Sequence, residues 1–216
     1  MKDLRPTRGE QKLRAMIAEG EHVHQDFKFT ISDARKIARS LSAFANNDGG
    51  RLLIGVKDNG TIAGVRNEED VFVVEEAAGI YCRPALTIEF EALKAKGGLE
   101  VIVAKVERQA RRPVYASDSP DHWRAYYRVA DENIAAHELM VDAWEREAEE
   151  HSTALSALHH SILAAIEEQP RALDLRDLAI SVHASAAAVR EAVIELANSS
   201  LIDFSHNGSN FMLTIK

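Results

Sequence analysis

Ala43-Phe44-Ala45-Asn46-Asn47-Asp48-Gly49-Gly50-Arg51-Leu52-Leu53-Ile54-Gly55-Val56-Lys57-Asp58-Asn59-Gly60 places a helix end, a glycine turn, a buried strand and a hairpin signal in unbroken succession. Glycine takes positive φ without steric cost, so Gly49 and Gly50 stop the preceding helix and turn the chain into Leu52-Leu53-Ile54. Asp58-Asn59-Gly60 is a tight-turn signal, after which Thr61–Val65 is expected to run back along the first strand. Asn46, Gly49, Gly50, Gly55 and Gly60 are the structural motif of this stretch. Taken alone, it is also a generic helix-to-strand junction.

Outward from there, the N-terminal side predicts a helix over about Thr7 to Ala18, ended by Gly20, and a short strand from His24 to Phe29. Thr30 followed by Asp33 resembles a helix start, and Ala34, Ile37, Ala38, Leu41, Phe44 and Ala45 repeat at three and four, one stripe facing a core. On the C-terminal side, Asn67 is expected to cap a helix running to about Tyr81 and closed by Arg83-Pro84. Leu86–Leu93 and Leu99–Val106 flank Lys96-Gly97-Gly98 as a hairpin, residues 123–129 read as a strand, and Ile134 to about Glu149 returns to helical spacing. From Ser152 the composition changes, and three short helical patterns precede Ile202-Asp203-Phe204 and Phe211–Ile215, the order of a winged helix-turn-helix. The expected domains are therefore 1–150 and 151–216.

The 216 residues carry a formal charge of -8, 46% apolar side chains and a single cysteine, Cys82. This composition suits a globular, cytoplasmic protein without a membrane helix, and excludes an intrachain disulfide or a multi-cysteine zinc site. The acidic total argues against coating nucleic acid by bulk charge, yet five arginines (108, 111, 112, 124, 128) face two aspartates (118, 121) between residues 108 and 128, a surplus of three. Tyr115, Trp123, Tyr126 and Tyr127 lie within that segment.

With the elements placed, residues 20–136 resemble the Schlafen-type AlbA-like domain, a family of DNA-binding domains of bacterial regulators. Gly20-Glu21 with Asp26-Phe27-Lys28 resembles its opening, Phe44-Ala45-Asn46 through Gly60 its central signature, and Pro113-Val114-Tyr115 with Tyr126-Tyr127-Arg128-Val129 its close. Asp26 stands where the family usually has Glu, Asn47 where Thr is common, and Ala130 where Gly often follows. The resemblance implies an α+β fold, an AlbA-like mixed sheet with flanking helices, here joined to a small C-terminal winged helix domain.

Some eukaryotic relatives cleave RNA, and the resemblance implies a carboxylate set, here Glu21, Asp26 and Asp58, able to hold Mg²⁺ or Mn²⁺. The same residues also read as a turn aspartate, a solvated glutamate and an ion-pair partner for Lys28 or an arginine. No other cofactor is indicated. His22 with His24, and His159-His160, lack companion ligands for zinc, and no Gly-Lys-Ser or Gly-Lys-Thr phosphate loop is present. For nucleic acid, Lys28, Arg108, Arg111, Arg112, Arg124, Tyr127 and Arg128 combine cations with flat rings. Strand alternation puts Arg124, Tyr126 and Arg128 on one face and Tyr127 on the other. Residues 151–216 hold four basic and seven acidic side chains, a net of -3, with Arg190 the one cation near the start of the third helix. The expected protein is a homodimeric DNA-binding regulator, DNA being preferred over RNA, with enzymatic activity left open. The alternatives are a metal-dependent ribonuclease and a protein-assembly module.

Overall fold

The computed structural model describes residues 7–65, 69–148, 154–168 and 173–216. In chain order these form β1 (Thr7–Arg8), α1 (Glu10–Glu19), β2 (Gln25–Lys28), α2 (Ala34–Asn46), β3 (Gly50–Ile54), α3 (Glu69–Ile80), β4 (Cys82–Arg83), β5 (Ile88–Lys94) and β6 (Glu100–Val106). Then come β7 (Tyr115–Ser119), β8 (His122–Val129), β9 (Glu132–Ala135), α4 (Glu138–Glu145), α5 (Ala157–Glu168), α6 (Leu175–Ser181), α7 (Ala186–Asn198), β10 (Ile202–His206) and β11 (Phe211–Ile215). The fold is α+β, with mixed sheets and helices. No described helix is long and apolar enough to cross a membrane.

The chain divides into two compact units, one running to Ala110 and taking in Val114–Ala136, the other built from Arg111–Pro113 and the chain from His137 onward. The boundary expected at 150/151 lies outside the described residues. Helix α4, grouped by sequence with the first domain, packs on α7 in the second unit.

In the first unit a five-stranded sheet has the order β1-β5-β6-β3-β2, and a four-stranded sheet has the order β4-β7-β8-β9. Side chains alternate across a strand, so β3 sends Leu52 and Ile54 one way and Leu53 the other. Leu53 meets Leu13 and Met16 of α1, with Phe27, Val101 and Val103. Leu52 and Ile54 join Ile37, Ala38, Leu41 and Phe44 of α2, and the same core takes in Val114, Ala116 and Tyr126 from the second sheet. Helix α2 is thus covered by both sheets, and from Ile37 to Asn46 every residue except Arg39 is buried.

The glycine pair turns the chain as expected. Gly49 has φ 79°, and a Cβ there would lie 2.8 Å from the Val106 carbonyl; a Cβ on Gly50 would meet the Phe44 ring at 2.2 Å. The return strand does not form. Strand β3 already has β2 parallel on one side and β6 antiparallel on the other, leaving no free edge for Thr61–Val65. Only an isolated Val56–Ile62 bridge remains of the hairpin.

Other elements differ in detail. Thr7–Arg8 pairs with β5 instead of opening the first helix, and Asp33, not Thr30, caps α2 by accepting from the Arg35 and Lys36 amides. Asn67 lies outside the described residues. β7 and β9 flank β8, and the helix expected from Ile134 spans Glu138–Glu145. The second unit is helical with a small hairpin, β10 pairing with β11.

Candidate nucleic-acid interface

Asn46 and Asn47 end α2 against strand β8, and their side chains take the place of a missing strand. The fully buried Asn46 accepts from the Val114 amide at 2.7 Å and donates to the Val114 and Tyr126 carbonyls, each at 2.9 Å. Asn47 donates to the Arg128 carbonyl at 3.0 Å and accepts from its amide at 3.1 Å. β7 begins only at Tyr115, opposite Ala125, so the edge of β8 beyond that point needs these amides.

Arg128 lies inside this joint and not on the surface, at 1% exposure. Its guanidinium donates to the His22 carbonyl (3.1 Å), the Gln25 carbonyl (3.1 Å) and Asn133 Oδ1 (2.8 Å), and sits over the Phe44 ring. It also faces Asp26 at 3.6 Å. With its donors satisfied inside the fold, Arg128 is a strut between β8 and β2, which corrects its reading as a nucleic-acid contact. Burial lowers its pKa from the usual value, and the carboxylates of Asp26 and Glu21 oppose that shift.

Asp26, buried at 4% exposure, takes Lys28 Nζ at 2.7 Å and the Ser40 hydroxyl at 3.3 Å. Glu21 accepts from the Phe27 amide at 2.9 Å and shares a hydrogen bond with Asp26. Burial and that hydrogen bond raise the pKa of Glu21. Burial alone would raise Asp26 too, but the bond from Glu21 and the charges of Lys28 and Arg128 outweigh it and hold Asp26 below its ordinary value. The two neighbouring carboxyl groups are thus pushed apart, Glu21 upward and Asp26 downward.

Asp58 is not part of this pair. It is an exposed residue of the turn following Val56, and among the described residues no group of three His, Cys, Asp or Glu side chains is placed to hold a metal ion. The donor set does not fit Mg²⁺ or Mn²⁺, since Asp26 is already saturated by Lys28, Arg128 and Ser40 and Glu21 is turned to Phe27 and Asp26. His22 faces Glu19 at 3.4 Å, and His24 Nδ1 meets the Gly49 carbonyl at 3.0 Å.

The remaining cations separate by exposure. Lys28 is held by Asp26, and exposed Arg108 lies 3.3 Å from Asp48. Arg111 and Arg112 belong to the second unit; Arg111 is exposed, whereas Arg112 grips Glu147 through two hydrogen bonds (3.0 and 2.6 Å) and covers Trp144. Arg190 is bound to Glu138 at 3.1 Å and to Asp142. Neither Arg112 nor Arg190 presents the open guanidinium that a phosphate requires. Tyr127 is half-buried, on the sheet face opposite Tyr126.

Arg124 is exposed, as Arg108 and Arg111 are, and its Nε donates to His122 Nε2 at 2.7 Å. It is 53% exposed and belongs to a cluster in the first unit that the sequence reading missed. Arg35 lies over the Tyr81 ring at 4.9 Å, and Arg39, one helical turn on, lies over Tyr126 at 5.8 Å. Asp118 sits at the centre, 2.8 Å from Arg39 Nε and 3.6 Å from Arg124 Nε, and accepts from the Tyr126 hydroxyl at 2.6 Å. Burial and that carboxylate push the Tyr126 phenol up to about 12. Two cations, Arg39 and Arg124, thus share Asp118, and Arg35 and exposed Lys36 continue along α2 from Arg39 toward its Asp33 cap. On the other face of the four-stranded sheet Arg83 stacks on Trp123 at 3.9 Å. The four-residue spacing of Arg35 and Arg39 on the polar side of α2 was the available signal.

The Schlafen, AlbA_2 family model matches residues 21–137, 117 of the 216 positions. The chain belongs to the Schlafen AlbA_2 family. That family is commonly linked to nucleic-acid binding and transcriptional regulators. Comparison with curated protein sequences gives no match. Among solved structures, the DIP2311 protein from Corynebacterium diphtheriae is 18% identical over 74% of this chain, with a TM-score of 0.46. The match spans only 34% of that chain, about a third of its length. The N-terminal domain of a RecG-related protein from Nitrosomonas europaea is 22% identical, with 56% of this chain and 88% of that one covered and a TM-score of 0.39. Within the AlbA_2 domain, the Phe44-Ala45-Asn46-Asn47 segment is accounted for by the joint to β8, and Gly49-Gly50 by the close approach of Val106 and Phe44.

Proposed function

We propose that this AlbA_2 protein is a DNA-binding transcriptional regulator that holds the phosphate backbone with Arg35, Lys36, Arg39 and Arg124. The observation that carries the reading is the pair Arg39 and Arg124 sharing the one carboxylate of Asp118, continued along α2 by Arg35 and exposed Lys36 and backed by the rings of Tyr81 and Tyr126. A phosphate oxygen offers the exposed ends of these arginines a charged acceptor, stronger than water. Helices α5 to α7 and the hairpin of the second unit support a winged helix reading, but α7, capped by Ser185, opens with Ala186, Ala187 and Ala188, and its Arg190 is held by carboxylates. That unit serves association, and a homodimer doubles the phosphate contacts made by the first unit.

The test is fluorescence anisotropy of a labelled duplex across a potassium chloride series, comparing the wild type with an Arg35→Gln, Arg39→Gln, Arg124→Gln variant. The variant is expected to bind at least about tenfold more weakly, its salt slope shallower by about 0.9 for each phosphate left without its arginine. Equal affinity and equal slope would remove the basis of the proposal. An RNA hairpin in parallel decides between DNA and RNA.

A further inference from the structure

Helix α3 is apolar on two sides, yet only one side is covered. Val71, Val74, Ala77 and Ala78 are buried against the core that includes α2. On the outward side Phe72 is 53% and Ile80 63% exposed. Residues four apart are neighbours on a helix, so Phe72, Glu76 and Ile80 form one row, with Glu75 and Gly79 in the row beside it. A surface helix is ordinarily polar on its outer face, and this one departs from that rule at its largest side chains.

Gly79 is a second, independent sign. It is not in the positive-φ region, and a Cβ added there would meet nothing within 4 Å. Neither backbone conformation nor packing within the unit calls for glycine, and glycine in a helix costs up to about 1 kcal/mol relative to alanine. What it provides is a notch beside Ile80 where a second backbone can come close. Charge sets the kind of partner. Glu75 and Glu76 are exposed, and α3 holds no lysine or arginine. Packing α3 on its own copy about a two-fold axis would set the Glu76 row against itself.

We propose that the outward face of α3 docks a basic amphipathic helix of another protein. The partner's apolar residues cover Phe72 and Ile80, its backbone crosses at Gly79, and its lysines or arginines pair with Glu75 and Glu76. The proposal is independent of the nucleic-acid reading.

The probe is a fluorescein-labelled amphipathic helical peptide of leucine and lysine, titrated with the full chain, a Phe72→Glu, Ile80→Glu variant and a Gly79→Leu variant. Both glutamates add negative charge, so non-specific attraction of the basic peptide would tighten. The expected result is the reverse, affinity at least about tenfold weaker for both variants, with Gly79→Leu keeping a melting temperature at or above that of the wild type. Equal or tighter binding by the variants, or no binding by the wild type, overturns the proposal. So does a wild-type dimer in sedimentation that becomes monomeric with Phe72→Glu, Ile80→Glu, because the occupant would then be a second copy.

Discussion

Strand β8 carries two arginines four residues apart that do opposite things. At its start Arg124 is half in solvent, sharing Asp118 with Arg39. Near its end Arg128 is sealed between β8 and β2, each donor satisfied by a carbonyl, an amide oxygen or Asp26. The difference comes from what lies along the strand. Beyond Ala125 the partner strand β7 has ended, Asn46 and Asn47 close the gap, and β2 comes within reach. Identical side chains become a buried strut or an exposed cation according to whether the surrounding backbone offers them acceptors.

The strongest way to break this comparison is to remove the joint that distinguishes the two ends. Asn46→Ala leaves the Val114 amide and the Tyr126 carbonyl without their side-chain partner, while the Val114 carbonyl keeps the Ser42 hydroxyl, an expected loss of about 3 kcal/mol in urea unfolding. A loss below about 1 kcal/mol would mean that the joint is not what seals Arg128.

Glu21→Gln sharpens it next. A glutamine reproduces both the acceptor for the Phe27 amide and the donor to Asp26 without a proton that can be lost. A carboxyl with a raised folded pKa contributes stability below its unfolded pKa, near about 4.3, and loses it as pH rises through the folded value. Melting temperatures of Glu21→Gln minus wild type should therefore increase with pH across that window and level off above it. Asp26 has the opposite sign: its depressed folded pKa contributes stability above the unfolded value, lost as pH falls through the folded one. A flat difference curve for Glu21→Gln would show that Glu21 is an ordinary solvated carboxylate.

The smallest expected effect lies just past the buried end. Ala130 sits at φ 51°, the left-handed region, which costs a residue with a Cβ about 1 to 2 kcal/mol. Ala130→Gly relieves that strain and gives back part of the gain through the freer unfolded chain. A net stabilisation of about 0.5 to 1 kcal/mol is expected from chemical denaturation, without change in duplex affinity.

Ala130 also shows what the sequence could and could not disclose. Alanine where the family often has glycine suggested a different exit from the strand, yet the structure adopts the left-handed conformation with the alanine in place. Gly49-Gly50, the α2 stripe and the order of the second unit were legible, since local sterics and periodicity act over neighbouring residues. The failures were non-local. Thr61–Val65 carries a good hairpin signal, but whether β3 has a free edge depends on β2 and β6. Alternation gave Arg124, Tyr126 and Arg128 a common face, yet it does not say that β2 covers one end of that face and solvent the other. Arg35 and Arg39 were hidden in plain view, because the apolar stripe of α2 drew attention to its buried side.

The central claim is that exposed arginines of the first unit, and not the carboxylate-bound arginine of the second, hold nucleic acid. The most direct test compares Arg124→Gln with Arg190→Gln on one labelled duplex over one salt series. The account predicts weaker binding and a slope reduced by about 0.9 for Arg124→Gln, with Arg190→Gln matching the wild type. Loss of binding with Arg190→Gln and none with Arg124→Gln would contradict it.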